Sequence, residues 1–142
     1  MNAVKGNTKR EVRGPERSYK NKMEIKEAQN KIKEFDDARG WSNSWDLKDL
    51  MLNINEEVGE FWSLVKWIDE EKQKEIIEGK KIEVEDFLGD TLFLLLKIAN
   101  QTKTDVQQGL IKTLEEYEKR MPPEIMKKVG HANKLAGGID NK

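Results

Sequence analysis

The sequence contains no cysteine, so it has no disulfide framework and no thiol chemistry. It has one histidine, His131, which rules out sites built on two imidazoles. No apolar run is long enough to span a bilayer, and no signal-peptide pattern opens the chain. A soluble cytoplasmic protein is therefore expected. Net charge is also nearly absent, at −1, but that balance hides an asymmetry. Residues 1–22 carry seven Lys/Arg against two Glu, and residues 119–142 carry six against two acids. The body between them, 23–118, has 13 Lys/Arg against 23 Asp/Glu. An acidic body with basic ends is a poor nucleic-acid surface but a fair host for divalent cations.

What the chain has in quantity is charge and helical period. Charged residues make up 37% and hydrophobics 36% of 142 residues, enough for one domain of helices with one apolar stripe each. Residues 1–21 show no apolar period and read as a disordered basic tail. From 22 to 39, Ile25, Ala28, Ile32 and Phe35 recur at helical steps, and Gly40 ends the helix. The loop WSNSW follows, with Ser44 or Asp46 as the next N-cap. A second helix over 46–68 carries Leu47, Leu50, Met51, Ile54, Val58, Phe61, Val65 and Ile68. DEEKQKEIIEGKK is either a helical extension or a loop. A third helix covers 82–101, and a fourth, capped by Thr104 or Asp105, runs to about 120 and stops at Pro122 and Pro123. Residues 123–142 read as an irregular tail. The pattern predicts an all-α, four-helix-bundle-like domain over 22–122.

Two of these helices place acids where apolar residues are expected. Glu57 lies three past Ile54, seven past Leu50 and four before Phe61, so it belongs to the apolar side. Glu56, Glu57 and Glu60 fan over an arc of about 100°. On the third helix, Asp90 is the only charged residue between Asp86 and Lys97, and Glu83, Asp86 and Asp90 form a second acidic line. Gly59 and Gly89 each precede an acid. A helical glycine costs about 1 kcal/mol relative to alanine, a cost that a close approach by a helix or ligand would explain. Crowded, partly desolvated carboxylates repel one another unless protonated or neutralised. Oxygen-only ligands without His or Cys point to a hard cation, Mg²⁺ or Mn²⁺, which in turn recruits phosphates.

The ordered set of residues resembles the MazG-like all-α nucleoside triphosphate pyrophosphohydrolases, with the short dCTP-pyrophosphatase type as the nearest likeness. The set runs from Arg39-x-Trp41 through Glu56-Glu57-x-x-Glu60 and Trp67 to Gly89-Asp90. Ala99-Asn100, Asp105 and Arg120-x-Pro122 complete it. The resemblance spans about residues 25–122. It implies a tight homodimer or homotetramer in which helices of two chains build each site. It also implies cytoplasmic hydrolysis of a (deoxy)nucleoside triphosphate to monophosphate and pyrophosphate, as in nucleotide-pool cleaning. Other substrates within that likeness are dUTP and phosphoribosyl-ATP. A different class of reading is a non-catalytic nucleotide- or partner-binding helical dimer.

The resemblance carries roles onto particular residues. Glu57, Glu60 and Asp90 fall on metal-ligand positions, and Glu56, beside Glu57, is the residue to orient or deprotonate a water. Trp41 and Trp67 match positions used at the base pocket. Lys112, Lys119 and Arg120 are candidates for the outer phosphates, from the same or a neighbouring chain. One position departs. The family's glutamate three before the aspartate is Phe87 here. Either Asp86, with Glu83, completes the metal shell, or one metal is held loosely. Trp45 and Trp62 read as core or interface residues, and His131 receives no role.

Overall fold

Helix α1, Ile25–Asp37, half-buries the stripe of Ile25, Ile32 and Phe35 that the sequence predicts. It ends where Gly40 takes a left-handed turn (φ 67°) that a side chain would resist. The computed structural model describes residues 23–129, so the tail expected over 1–21 and the residues from 130 on, His131 included, lie outside the described residues. Within them the protein is all-helical.

Helix α2, Leu47–Val65, starts at Asp46 rather than Ser44. The Asp46 carboxylate accepts from the Asp49 amide at 2.9 Å, and Asp49 accepts from the Asp46 amide at 3.2 Å. This reciprocal box satisfies two backbone donors that a helix start leaves free. The segment left open between extension and loop is a helix of its own, α3, Glu70–Gly79, capped by Asp69 on the Lys72 amide at 2.8 Å. A single residue, Lys80, separates it from α4, Lys81–Thr102. Asp105, not Thr104, caps α5, Val106–Arg120. Beyond it the expected irregular tail is corrected over Pro123–Val129, which forms the short α6. Proline stops the preceding helix, yet it suits a first helical position, where no backbone donor is needed.

The helix α4 runs through the middle of the layer, with α2 on one side and α1 on the other. Both flanking helices are antiparallel to it. On α2, Phe61 meets Phe87 while Trp45, just before the helix, receives a hydrogen bond from Gln101. On α1, Phe35 meets Phe93 edge-on at 5.9 Å, and Asn100 donates to the Gln29 carbonyl at 3.1 Å. The buried core is small: Leu50, Leu94, Leu96 and Ala99. Burial of a leucine contributes about 1.5–3 kcal/mol, so the α2–α4 seam through Leu50 and Leu94 is the main apolar support of the layer.

The layer has two unlike faces. Counting 100° per residue, Leu88, Leu92 and Leu95 lie about 140–200° around α4 from Asp90. They are exposed, as are Leu47, Met51, Val58 and Trp62 on α2. Helix α5 adds Leu110, Ile111, Leu114 and Tyr117, all exposed as well. It is held at its root, where Lys26 meets Asp105 at 3.2 Å and Gln29 donates to the Thr104 carbonyl at 2.8 Å.

Candidate functional site

The α2–α4 seam brings the two acidic lines together. Glu57, half-buried against α4, has its carboxyl held above the usual glutamate range. Burial is the first cause, followed by the charges of Asp90, Glu60, Asp86 and Glu56 in that order. Four carboxylates, two from α2 and two from α4, therefore lie close enough to act on this one side chain. No lysine or arginine pairs with any of them among the described residues. Glu83, at the start of α4, is bound instead to Lys80 at 2.8 Å, which holds its carboxyl below the usual glutamate range; it is engaged away from the cluster.

Among the described residues no three carboxylates converge at ligating distance as their side chains stand. The acids are neighbours rather than a closed shell. Their chemistry fits a hard cation: the donors are oxygen alone, and the strain on Glu57 is one that a divalent ion between the helices would relieve.

Phe87, which occupies the departing position, stacks on Phe61 with centroids 4.4 Å apart and planes 11° from parallel. This pair fills the seam one turn from Glu57. Position 87 thus serves packing, and Asp86, among the charges acting on Glu57, is the acid next to it.

The close approach expected at the glycines is absent among the described residues. A Cβ at Gly59 or Gly89 would meet nothing within 4 Å. The cost of these glycines is not explained by helix packing in one copy.

The predicted substrate residues are scattered. Trp41 sits at the α1–α2 turn, edge-on to Phe35 at 5.9 Å. Trp67 is at the far end of α2, 91% exposed and in a left-handed backbone (φ 68°). The 19 residues of α2 put about 28 Å between these ends, so one chain does not close both tryptophans on one base. Lys112, Lys119 and Arg120 lie on α5, and Arg120 already meets Glu116 at 2.6 Å.

A second charged feature was not foreseen. Lys97 and Asp36 form a buried ion pair at 3.0 Å, with side chains 3% and 8% exposed. Trp45 lies over the ammonium at 4.6 Å, Phe93 at 5.4 Å and Trp41 at 5.9 Å. The signal was in the sequence. Lys97 interrupts the apolar run TLFLLLKIAN, and Asp36 falls four past Ile32 on the α1 stripe. Trp45, read as core or interface, is one wall of a cavity of about 540 Å³ that Asp36 and Lys97 also line.

No family model, curated protein or solved structure matches the chain. The MazG-like resemblance therefore stands on the motif residues alone. No helix among the described residues is long and apolar enough to cross a membrane.

Proposed function

We propose that this protein is a metal-dependent nucleoside triphosphate pyrophosphohydrolase, releasing monophosphate and pyrophosphate. One observation carries the reading: Glu57 is half-buried among four other carboxylates on two packed helices, with no cationic side chain paired to them among the described residues. A triphosphate brings about four further negative charges, which such a groove does not admit without metal ions. Glu57, Glu60 and Asp90 would hold Mg²⁺ or Mn²⁺, with Asp86 standing in for the family glutamate. The bound ion supplies charge neutralisation at the phosphates and at the transition state. Glu56 holds and takes the proton of the attacking water. The phosphate ligands Lys112, Lys119 and Arg120 come from a neighbouring copy in this reading, as does Trp67. The bare apolar faces of α2, α4 and α5 support such a homodimer or homotetramer, since patches of this extent mark interaction surfaces. A cytoplasmic role in clearing excess nucleotides follows from the same reading.

The test mixes the full chain with each common triphosphate, with dUTP and with phosphoribosyl-ATP, in Mg²⁺ or Mn²⁺, and follows pyrophosphate. Release that is abolished by chelation and by Glu57→Gln supports the reading. Release that survives both sinks it. The apolar Phe61–Phe87 stack in place of a ligand favours a second reading, a non-catalytic nucleotide-binding dimer. Metal-dependent nucleotide binding without turnover would select it.

A further inference from the structure

Helix α5 presents an apolar stripe that its own chain leaves exposed. Leu110, Leu114 and Tyr117 follow at four- and three-residue steps, so the stripe runs about 10 Å along the helix. A second unmatched feature lies between α1 and α4. There Ala28, Ile32 and Phe35 face Gly89, Leu92 and Leu96 across an apolar groove of about 340 Å³. Each wall covers seven-residue steps, which is also about 10 Å. The groove is open: Leu92 is exposed, and a Cβ on Gly89 would meet nothing within 4 Å among the described residues. A glycine inside a helix is destabilising, and nothing in the single chain calls for one here. A helix approaching from outside the chain would use the space it leaves.

Within one copy the stripe and the groove are held apart. The link between α4 and α5, residues 103–105, is tied to α1. Gln29 donates to the Thr104 carbonyl at 2.8 Å and accepts from the Val106 amide at 3.4 Å, and Lys26 meets Asp105 at 3.2 Å. These bonds fix the direction in which α5 leaves, and along it none of its residues lines the groove. They also set its exit beside the Ala28 end of the groove, one residue from Gln29.

We propose that the groove between α1 and α4 receives helix α5 of a second copy, and that two copies exchange these helices reciprocally. The occupant is a second copy because the chain carries both halves of the match at equal length. A two-fold exchange then closes on itself and leaves neither half bare. As a cylinder about 22 Å long and about 11 Å across, α5 would turn about a third of its surface, about 250 Å², to the groove. Two helices in two grooves bury about 1,000 Å², the size at which a specific interface begins. The inference rests on the assembly stated in the nucleotide reading, names its contact, and uses none of its chemistry.

The chain has no cysteine, so introduced thiols report on this contact alone. In the full chain carrying both Leu92→Cys and Leu114→Cys, mild oxidation should give a covalent dimer on a denaturing gel, and neither cysteine alone should do so. Sedimentation should show the parent associating. Leu114→Glu should weaken that association about 100-fold, because a carboxylate would be buried at the contact. Leu114 is 55% exposed in one copy, so the change spares the monomer. Gly89→Leu, which grows into open space, should weaken association about tenfold by filling the groove, with helix content unchanged. The proposal is overturned if the parent sediments as a monomer, if both variants associate like the parent, or if one cysteine alone cross-links as well as the pair. Thiols that join within one chain would also overturn it, since α5 would then fold back on its own groove. Pyrophosphate release by a monomeric parent would sink this inference and leave the enzymatic reading standing. A dimer that is lost with Leu114→Glu and cleaves no triphosphate would do the reverse.

Discussion

Helix α4 carries two charged sites on one stripe, and they are opposites. At Lys97 the charge is buried and fully answered: one carboxylate at 3.0 Å and aromatic faces around the ammonium. Two turns away, at Asp90, charge of one sign accumulates and nothing in the described chain answers it. A matched pair asks for nothing from outside and can serve as structure. An unmatched cluster persists only if something else supplies the missing charge, whether protons or cations. The same helix thus carries charge that is answered within the fold and charge that is unanswered among the described residues.

The sharpest way to break this comparison is to unmatch the pair. Lys97→Met alone leaves Asp36 buried and uncompensated, at a cost of about 3–5 kcal/mol. At roughly 3–5 °C per kcal/mol for a chain of this size, the melting temperature should fall by about 10–25 °C. Changing Asp36 to Leu in the same chain should restore most of it. A single change that costs under about 1 kcal/mol would show that the pair is not structural.

The converse holds at the acidic end. Glu57→Gln should leave the metal-free chain as stable as before or more so, because it removes a repelled charge. The same change should cut pyrophosphate release about 100-fold or more, the scale of losing a positioned acid–base group. A loss of stability in the Glu57→Gln chain would mean that Glu57 has a partner after all.

Phe87→Glu sets packing against ligation. Loss of the Phe61 stack should cost about 0.5–1.5 kcal/mol without metal, with burial loss in addition. Saturating Mg²⁺ should recover stability more strongly than in the parent chain, and turnover should stay or rise. Equal melting shifts with Mg²⁺ in both chains would argue that position 87 does not face the ion.

At Trp67 the left-handed backbone costs about 1–2 kcal/mol that glycine would not incur. Trp67→Gly should therefore raise stability by about 1 kcal/mol, since the exposed ring packs on little of its own chain. If the ring serves a neighbouring copy, nucleotide affinity should fall in the same variant.

The smallest expected effect is a pH slope. Glu57 has a folded-state value above its unfolded one, so the folded chain holds its proton more tightly. That contribution to stability is complete below the unfolded value, near 4.5, and is lost as pH rises through the raised folded value. Metal-free protein should lose this increment between acid and neutral pH, and Mg²⁺ should flatten the slope. Melting curves from about pH 4 to 8, with and without Mg²⁺, read it directly.

Much of the layer was legible because helical period reports which side of a helix is apolar. The stripe through Leu50, Ile54 and Phe61 located Glu57 on the packed side before any coordinates, whereas Asp90, expected on the apolar side of its own helix, is exposed. What period does not report is what lies across from each stripe. The α5 stripe of Leu110, Leu114 and Tyr117 is as regular as that of α2, yet it stands uncovered. Spacing does set Trp41 and Trp67 at opposite ends of α2, but it does not show that Trp45 lies over Lys97. That contact follows from the packing of α4 against the chain before α2, a long-range fact. The polar stretch at 70–79 was ambiguous because its helix rests on surface pairs such as Lys74–Glu70 and Lys72–Glu75, which leave no apolar stripe to read.

Helix α5 has a kinetic implication. Fifteen residues anchored at one end are too few to persist as a helix in water unaided. If copies associate as in the proposed homodimer or homotetramer, its amide hydrogens should exchange quickly in dilute solution and slowly in concentrated solution, while those of α4 keep one rate throughout. In that assembly the order of α5 would track how much of the chain is present.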